Sequence, residues 1–276
     1  MPRFQANDLL LAEDKKQTGA ITSYIDVAQV VLYAFWLFFA GLIFYLRRED
    51  KREGYPLESD RTERASRVKV VGFPSMPAAK TFQLAHGGSV SAPTGIGDRR
   101  PIKAQPVGAW PGAPIEPTGN PMRDGVGPAS YAEREDAPEL TIDGHPNIVP
   151  MRIATDTVVA VEDADPRGMQ VVAADGKIAG TVRDIWIDRA EPQIRYLEVA
   201  IQAAGGEGRV LLPIHFARIS GGRRQVTVQA ILASQFADVP TLKSNDQITK
   251  LEEDRITAYY AGGTLYATPS RLGPIL

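Results

Sequence analysis

One stretch of the chain is apolar on every side. Tyr24 to Leu46 read YIDVAQVVLYAFWLFFAGLIFYL, and RREDKREGYPLE follows at once. A helix rises about 1.5 Å per residue and a bilayer core is roughly 30 Å thick, so about 20 such residues suffice to cross it. The pattern predicts one transmembrane helix over residues 24–46. A secretory leader would have an apolar run of about 7–15 residues and a small-residue cleavage site. Here the run is longer and ends Phe44-Tyr45-Leu46-Arg47-Arg48. The plainer alternative is a buried helix of a soluble protein. Tyr24 and Tyr45 suit the interfacial aromatic belts, and Ala34, Ala40 and Gly41 leave notches against which a neighbouring helix can pack. Asp26 and Gln29 sit near the start, where Asp26 reaches the headgroups.

The remainder divides by pattern. Residues 1–23 form a polar, extracytoplasmic N-terminal segment, with a short amphipathic helix expected through Asp8–Lys16. Residues 47–150 are rich in proline, glycine and charge, with little periodicity. Stretches such as Ala109-Trp110-Pro111-Gly112-Ala113-Pro114 suit neither helix nor central strand, because proline lacks the amide donor and fixes φ. Trp110, Phe73, Phe82 and Tyr131 argue against full disorder, so an extended strap lying on another protein is expected.

From Met151 the period changes to two. Gln170–Ala173, Lys177–Asp188, Ile194–Ala200, Arg209–Pro213 and Gln225–Val228 read as short strands separated by turn residues. They predict an antiparallel sheet or small barrel over residues 151–245. One helix is expected over Ala230–Phe236. Another is expected over Ile248–Tyr260, opened by Glu252, Glu253 and Asp254, within a C-terminal piece of residues 246–276.

Charge orients the span. Arg47, Arg48, Lys51 and Arg52 crowd its C-terminal end, while Lys15 and Lys16 lie farther back beside Glu13 and Asp14. Positive flanks stay in the cytoplasm, so the N-terminus is expected outside and the large C-terminal part inside. The four cations are expected to do ordinary topological and headgroup work. A formal net charge of −2 gives nucleic-acid binding no bulk support. Cysteine is absent, which excludes disulfides, thiolate metal sites and a cysteine nucleophile. With only His86, His145 and His215, a histidine metal site is not expected. There is no phosphate-cradling glycine loop, no His-Glu-x-x-His and no serine elbow, so no catalytic residue is assigned.

The segment YAFWLFFAGLIFYLRREDKREGYPLE resembles the H subunit of the purple-bacterial photosynthetic reaction centre. So do Lys80-Thr81-Phe82, Pro121 to Ser130, Asp184-Ile185-Trp186-Ile187-Asp188, Leu251-Glu252-Glu253-Asp254 and Tyr260 to Tyr266, in the family's order. The resemblance implies a PRC-barrel behind the span, in the bacterial inner membrane. It implies a subunit without enzymatic activity that holds no cofactor itself. Bacteriochlorophyll, bacteriopheophytin, quinones and non-haem iron would lie on the partner L and M subunits. A light-harvesting antenna, a cytochrome subunit and membrane lipids are further expected partners, and nucleic acid is not. The H subunit caps the L and M core, shields the quinone sites and helps protons reach the secondary quinone. Negative charge on a buried quinone is costly in low dielectric, so proton supply must accompany electron arrival.

By the Asp-Ile-Trp-Ile-Asp block, the resemblance implies that Asp188 and Glu191 lie on the proton path, with Arg195 as a nearby electrostatic tuner. The plainer reading of Asp188-Arg189-Ala190-Glu191-Pro192 is a polar hairpin loop. Asp143-Gly144-His145 resembles the family's surface uptake segment, with one histidine where members carry two, which places Asp143 and His145 on the path as well. Glu253 matches a family acidic cluster and is expected to tune the field. His86 and His215 read as ordinary surface or core histidines. The alternative is a membrane-tethered PRC-barrel adaptor of another complex.

Overall fold

A computed structural model describes residues 26–58, 69–96, 98, 100–110, 112–203 and 206–272. The expected N-terminal segment, its amphipathic helix and Tyr24 fall outside the described residues. The chain divides into two compact units, Met1–Gly97 and Asp98–Leu276.

The first unit carries helix α1, Val27–Glu49. Asp26 caps it by accepting a hydrogen bond from the Gln29 amide at 2.7 Å. With the turn that follows, it extends to Arg52. Its most apolar stretch of 18 residues has a mean hydropathy of 2.2, and among the described residues it is the one helix long and apolar enough to cross a membrane. The helix runs past Leu46 because Arg47 and Arg48 favour its negative C-terminal end.

Lys51 and Arg52 differ from expectation. Lys51 is buried, and its ammonium donates to the Val71 carbonyl at 2.5 Å and to the Pro74 carbonyl. Arg52 grips both carboxylate oxygens of Glu49 at 2.9 Å and donates to the carbonyls of Ala78 at 2.8 Å and Ala92 at 3.0 Å. Neither side chain serves the headgroups as expected. A proline-rich segment leaves carbonyls without regular partners, and these two cations supply the donors. The segment also forms antiparallel pairs: β1 (Leu57–Glu58) with β2 (Lys69–Val70), and β3 (Lys80–Gln83) with β4 (Ser89–Ala92).

The second unit begins at Asp98, ahead of the expected boundary at 151. Residues 98–150 contribute β5 (Ala104–Pro106) paired with β6 (Ile115–Pro117), then the short helix α2 (Pro121–Asp124) and β7 (Ile148–Pro150). Five of the remaining strands match the expected runs closely: β8 (Gln170–Val172), β9 (Ile178–Asp188), β10 (Gln193–Ala203), β11 (Gly206–Pro213) and β13 (Gln225–Val228). The short β12 (Ala217–Ser220) was not expected. The sheet order is β11-β10-β9-β8-β13-β12, with β7 also pairing β9. All pairs are antiparallel except β8 with β13. That parallel pair joins strands far apart in sequence, where no hairpin dictates direction.

Trp186, Leu197, Leu212, Val226, Ile231, Phe236 and Tyr260 are buried in one core. Helix α3 (Lys250–Tyr266) covers it. Gly262 and Gly263 permit this approach, since an added Cβ would meet the Ala129 Cβ at 2.5 Å and the Ile231 Cγ2 at 2.4 Å. The helix expected over Ala230–Phe236 is instead a 3-10 turn, Ala233–Asp238. Pro240 pushes the preceding Val239 out of the helical region and leaves too few residues for an α-helix.

Candidate functional site

The turn joining β9 to β10 is built by short-range hydrogen bonds. Buried Asp188 accepts from the amides of Ala190 and Glu191, each at 3.0 Å. Asn147, also buried, accepts from the Ala190 amide through its side chain and from the Arg189 amide through its carbonyl, both at 3.0 Å. The Glu191 side chain is exposed at the tip, where Gln193 Nε2 donates to its Oε2 at 3.2 Å.

Asp143 and His145 lie on an exposed loop that folds back on itself. The Thr141 amide donates to the His145 carbonyl at 2.8 Å, and Gly144 adopts φ +81° to make the bend. This loop runs through Asn147 into β7, whose Ile148 stands opposite Asp188. Asn147 therefore fastens the His145 loop to the Asp188 turn without direct contact between the two sets of titratable groups. Sequence reasoning passed over Asn147 because a single buried asparagine has no motif.

Arg195 on β10 and Glu253 in the first turn of α3 are brought together. An arginine nitrogen lies 3.7 Å from Glu253 Oε2, and the Tyr196 hydroxyl donates to the same oxygen at 2.9 Å. These groups line an open cleft of about 620 Å³, with Arg134, Gln193 and His215. Burial pushes the Glu253 carboxyl above its ordinary 4.5, aided by Glu139, and against the Tyr196 hydroxyl and the charges of Arg195 and Arg134. Burial, then the charge of Arg195, holds His215 below its ordinary 6.5. An acid pushed up and an imidazole pushed down thus share one cleft. His215, read from sequence as an ordinary surface or core histidine, is an exposed one that lines this cleft, and sequence reasoning missed Tyr196 because it reads as an ordinary strand residue. Gln193 belongs to both places: it lines this cleft and bonds Glu191.

A second network was also invisible. Glu198, buried within β10, accepts from Trp186 Nε1 at 3.0 Å and Arg152 Nη1 at 2.9 Å, and Arg152 also reaches Asp184 at 2.9 Å. Here a buried carboxylate is satisfied by an arginine at the surface, and the pair ties β7's exit to β9 and β10. Among the described residues no group of three or more metal-ligating side chains is placed to hold an ion.

Residues 19–153 match the family model described as the photosynthetic reaction centre H-chain N-terminal region. Residues 159–234 match the PRC-barrel domain. The first match takes in the apolar helix and the Asp143-His145 loop, and the second takes in the sheet with the Asp188 turn. With both regions present in this order, the chain belongs to the family of photosynthetic reaction-centre H subunits.

Proposed function

We propose that this chain caps the quinone side of a reaction-centre core and conducts protons toward the secondary quinone. The partner L and M subunits would hold the pigments, quinones and iron, and this chain would contribute scaffold, shielding and field. The N-terminus would lie on the periplasmic side and the sheet unit in the cytoplasm. An antenna and a cytochrome subunit are further partners in this reading.

The observation that carries it is the Asp188–Glu191 turn, held by Asn147 on one side and joined through Gln193 to the Glu253 cleft on the other. Carboxylates and a histidine lie on the loop before β7, on the β9–β10 turn and at the start of α3, and these are the group types that exchange protons near neutral pH. Asp143 and His145 would take protons from water. Asp188 and Glu191 would pass them on. Arg195 and Glu253 would set the potential through which they move.

The test is flash-induced electron transfer in the purified complex. Glu191→Gln should slow the second, proton-coupled transfer to quinone by on the order of tenfold or more and leave the first unchanged. Equal rates for both transfers in variant and wild type would remove Glu191 from the path. A preparation without bacteriochlorophyll, from cells that make it, would instead favour a tethered adaptor.

A further inference from the structure

The turn between β12 and β13 reads Gly221-Gly222-Arg223-Arg224, and Arg218 precedes it on β12. All three arginines are exposed. Several arginines of this unit are held by carboxylates, as Arg123 is by Asp238 and Arg209 by Glu198. No ion pair among the described residues involves Arg218, Arg223 or Arg224. Among those residues Arg224 is also the one non-glycine with positive φ, at 49°. Glycine or asparagine would take that conformation more easily, so the turn holds a charge where geometry alone asks for a smaller residue.

Beside the turn opens a cleft of about 820 Å³, lined by Arg218, Arg223, Arg271 and His215 with no carboxylate. Arg271 is held in place there, donating to the carbonyls of Gln229 at 2.9 Å, Ala230 at 2.7 Å and Gly263 at 2.6 Å.

The sheet register says which way this turn points. β8 is antiparallel to β9, with Gln170 opposite Thr181, and β13 is parallel to β8, with Gln225 opposite Gln170. The N-terminal end of β13 therefore lies toward the end of the sheet where β9 finishes at Asp188. The arginine turn points toward the same end of the sheet as the Asp188–Glu191 turn, set back from it because Gln225 stands level with Thr181, seven residues before Asp188 on β9.

We propose that the Arg218, Arg223 and Arg224 turn is a docking surface for the phosphate headgroups of anionic phospholipid. This rests on the reading that the Asp188–Glu191 turn faces the membrane-embedded core. If it does, the arginine turn faces the bilayer surface around that core. Guanidinium forks match phosphate oxygens in pairs, and clustered basic residues are drawn to an anionic leaflet. A chain carrying a membrane-spanning helix is never far from that surface, which raises the local concentration of headgroups.

The test uses the whole complex in lipid nanodiscs of phosphatidylcholine, with or without phosphatidylglycerol. Hydrogen exchange is followed in the backbone of residues 217–228. Phosphatidylglycerol should slow it about threefold or more, and high salt should restore it. R218Q/R223Q/R224Q should exchange alike in both lipids, while exchange in β9 and β10 stays as in wild type. R218K/R223K/R224K should keep part of the protection. Equal wild-type exchange in both discs would overturn the proposal. So would equal slowing by inorganic phosphate in phosphatidylcholine discs, which marks a soluble-anion site, or slowing that needs an acidic protein and not the lipid. Electron transfer in Glu191→Gln, measured in the same discs, separates the two readings. A slowed second transfer with no lipid effect sinks only the docking surface. An unchanged transfer with clear lipid protection sinks only the proton path.

Discussion

Glu253 is where a single side chain says most about the medium around it. Its carboxyl is raised by burial above an ordinary value of 4.5, so folding favours its protonated form. The stability this brings is complete below the unfolded value and is lost as pH rises through the folded one. Glu253→Gln should therefore flatten the decline in stability as pH rises above about 4.5, read from urea midpoints at a series of pH values. A decline as steep as in wild type would assign the pH dependence to another group. Tyr196→Phe removes a hydroxyl that lowers the same carboxyl, so Glu253 should titrate higher still. The carboxyl stretch in infrared difference spectra against pH reports it directly. Residue identities of this sort were legible only in part. Resemblance pointed to Glu253 and Arg195, but Tyr196 alternates with its neighbours as any strand residue does, and nothing local marks the oxygen it meets 57 positions away.

At the scale of elements, alternation made the long strands readable because one face of each packs on the core. The parallel β8–β13 pair was not, since partners distant in sequence leave no local trace. Helix α3 shows both cases. Its acidic start was legible, but its cap was found only in the structure: Thr249 Oγ1 accepts from the Glu252 amide at 3.1 Å and Glu252 Oε2 from the Thr249 amide at 2.8 Å. Glu252 is thus a cap first, beyond the general dipole effect expected of the acidic run. Thr249→Ala should destabilise the protein by about 1 kcal/mol in denaturant titration, with the helix fraying at its first turn. Gly263→Ala should do worse, roughly 2 kcal/mol or more, because the new methyl meets the Ala230 carbonyl and a branched side chain in a packed core. A result below that of Thr249→Ala would mean the helix slides away easily.

Across the whole molecule, the apolar helix and the β unit were plain from pattern alone, whereas the segment between them was not. Proline and glycine hide short hairpins from any test of periodicity, and the donors that satisfy their carbonyls come from side chains elsewhere. Lys51 shows why. As a cation after an apolar run it reads as a membrane-surface charge, yet it is 1% exposed, with the Tyr55 ring 5.3 Å from its nitrogen. Lys51→Met keeps the bulk and strips two carbonyls of their donor. It should speed hydrogen exchange around residues 71–74 and leave the β9–β10 pair unaffected. Unaltered exchange there would show that the segment is held by other means.

Because an ammonium closed in this way is sheltered from solvent, amine-directed acylating reagents should pass over Lys51 while modifying the open Lys80 and Lys177. One peptide in a mass spectrum then becomes a folding gauge for the stretch just beyond the membrane. Acylation of Lys51 in nascent or unassembled material would date the moment at which that stretch closes over the helix end.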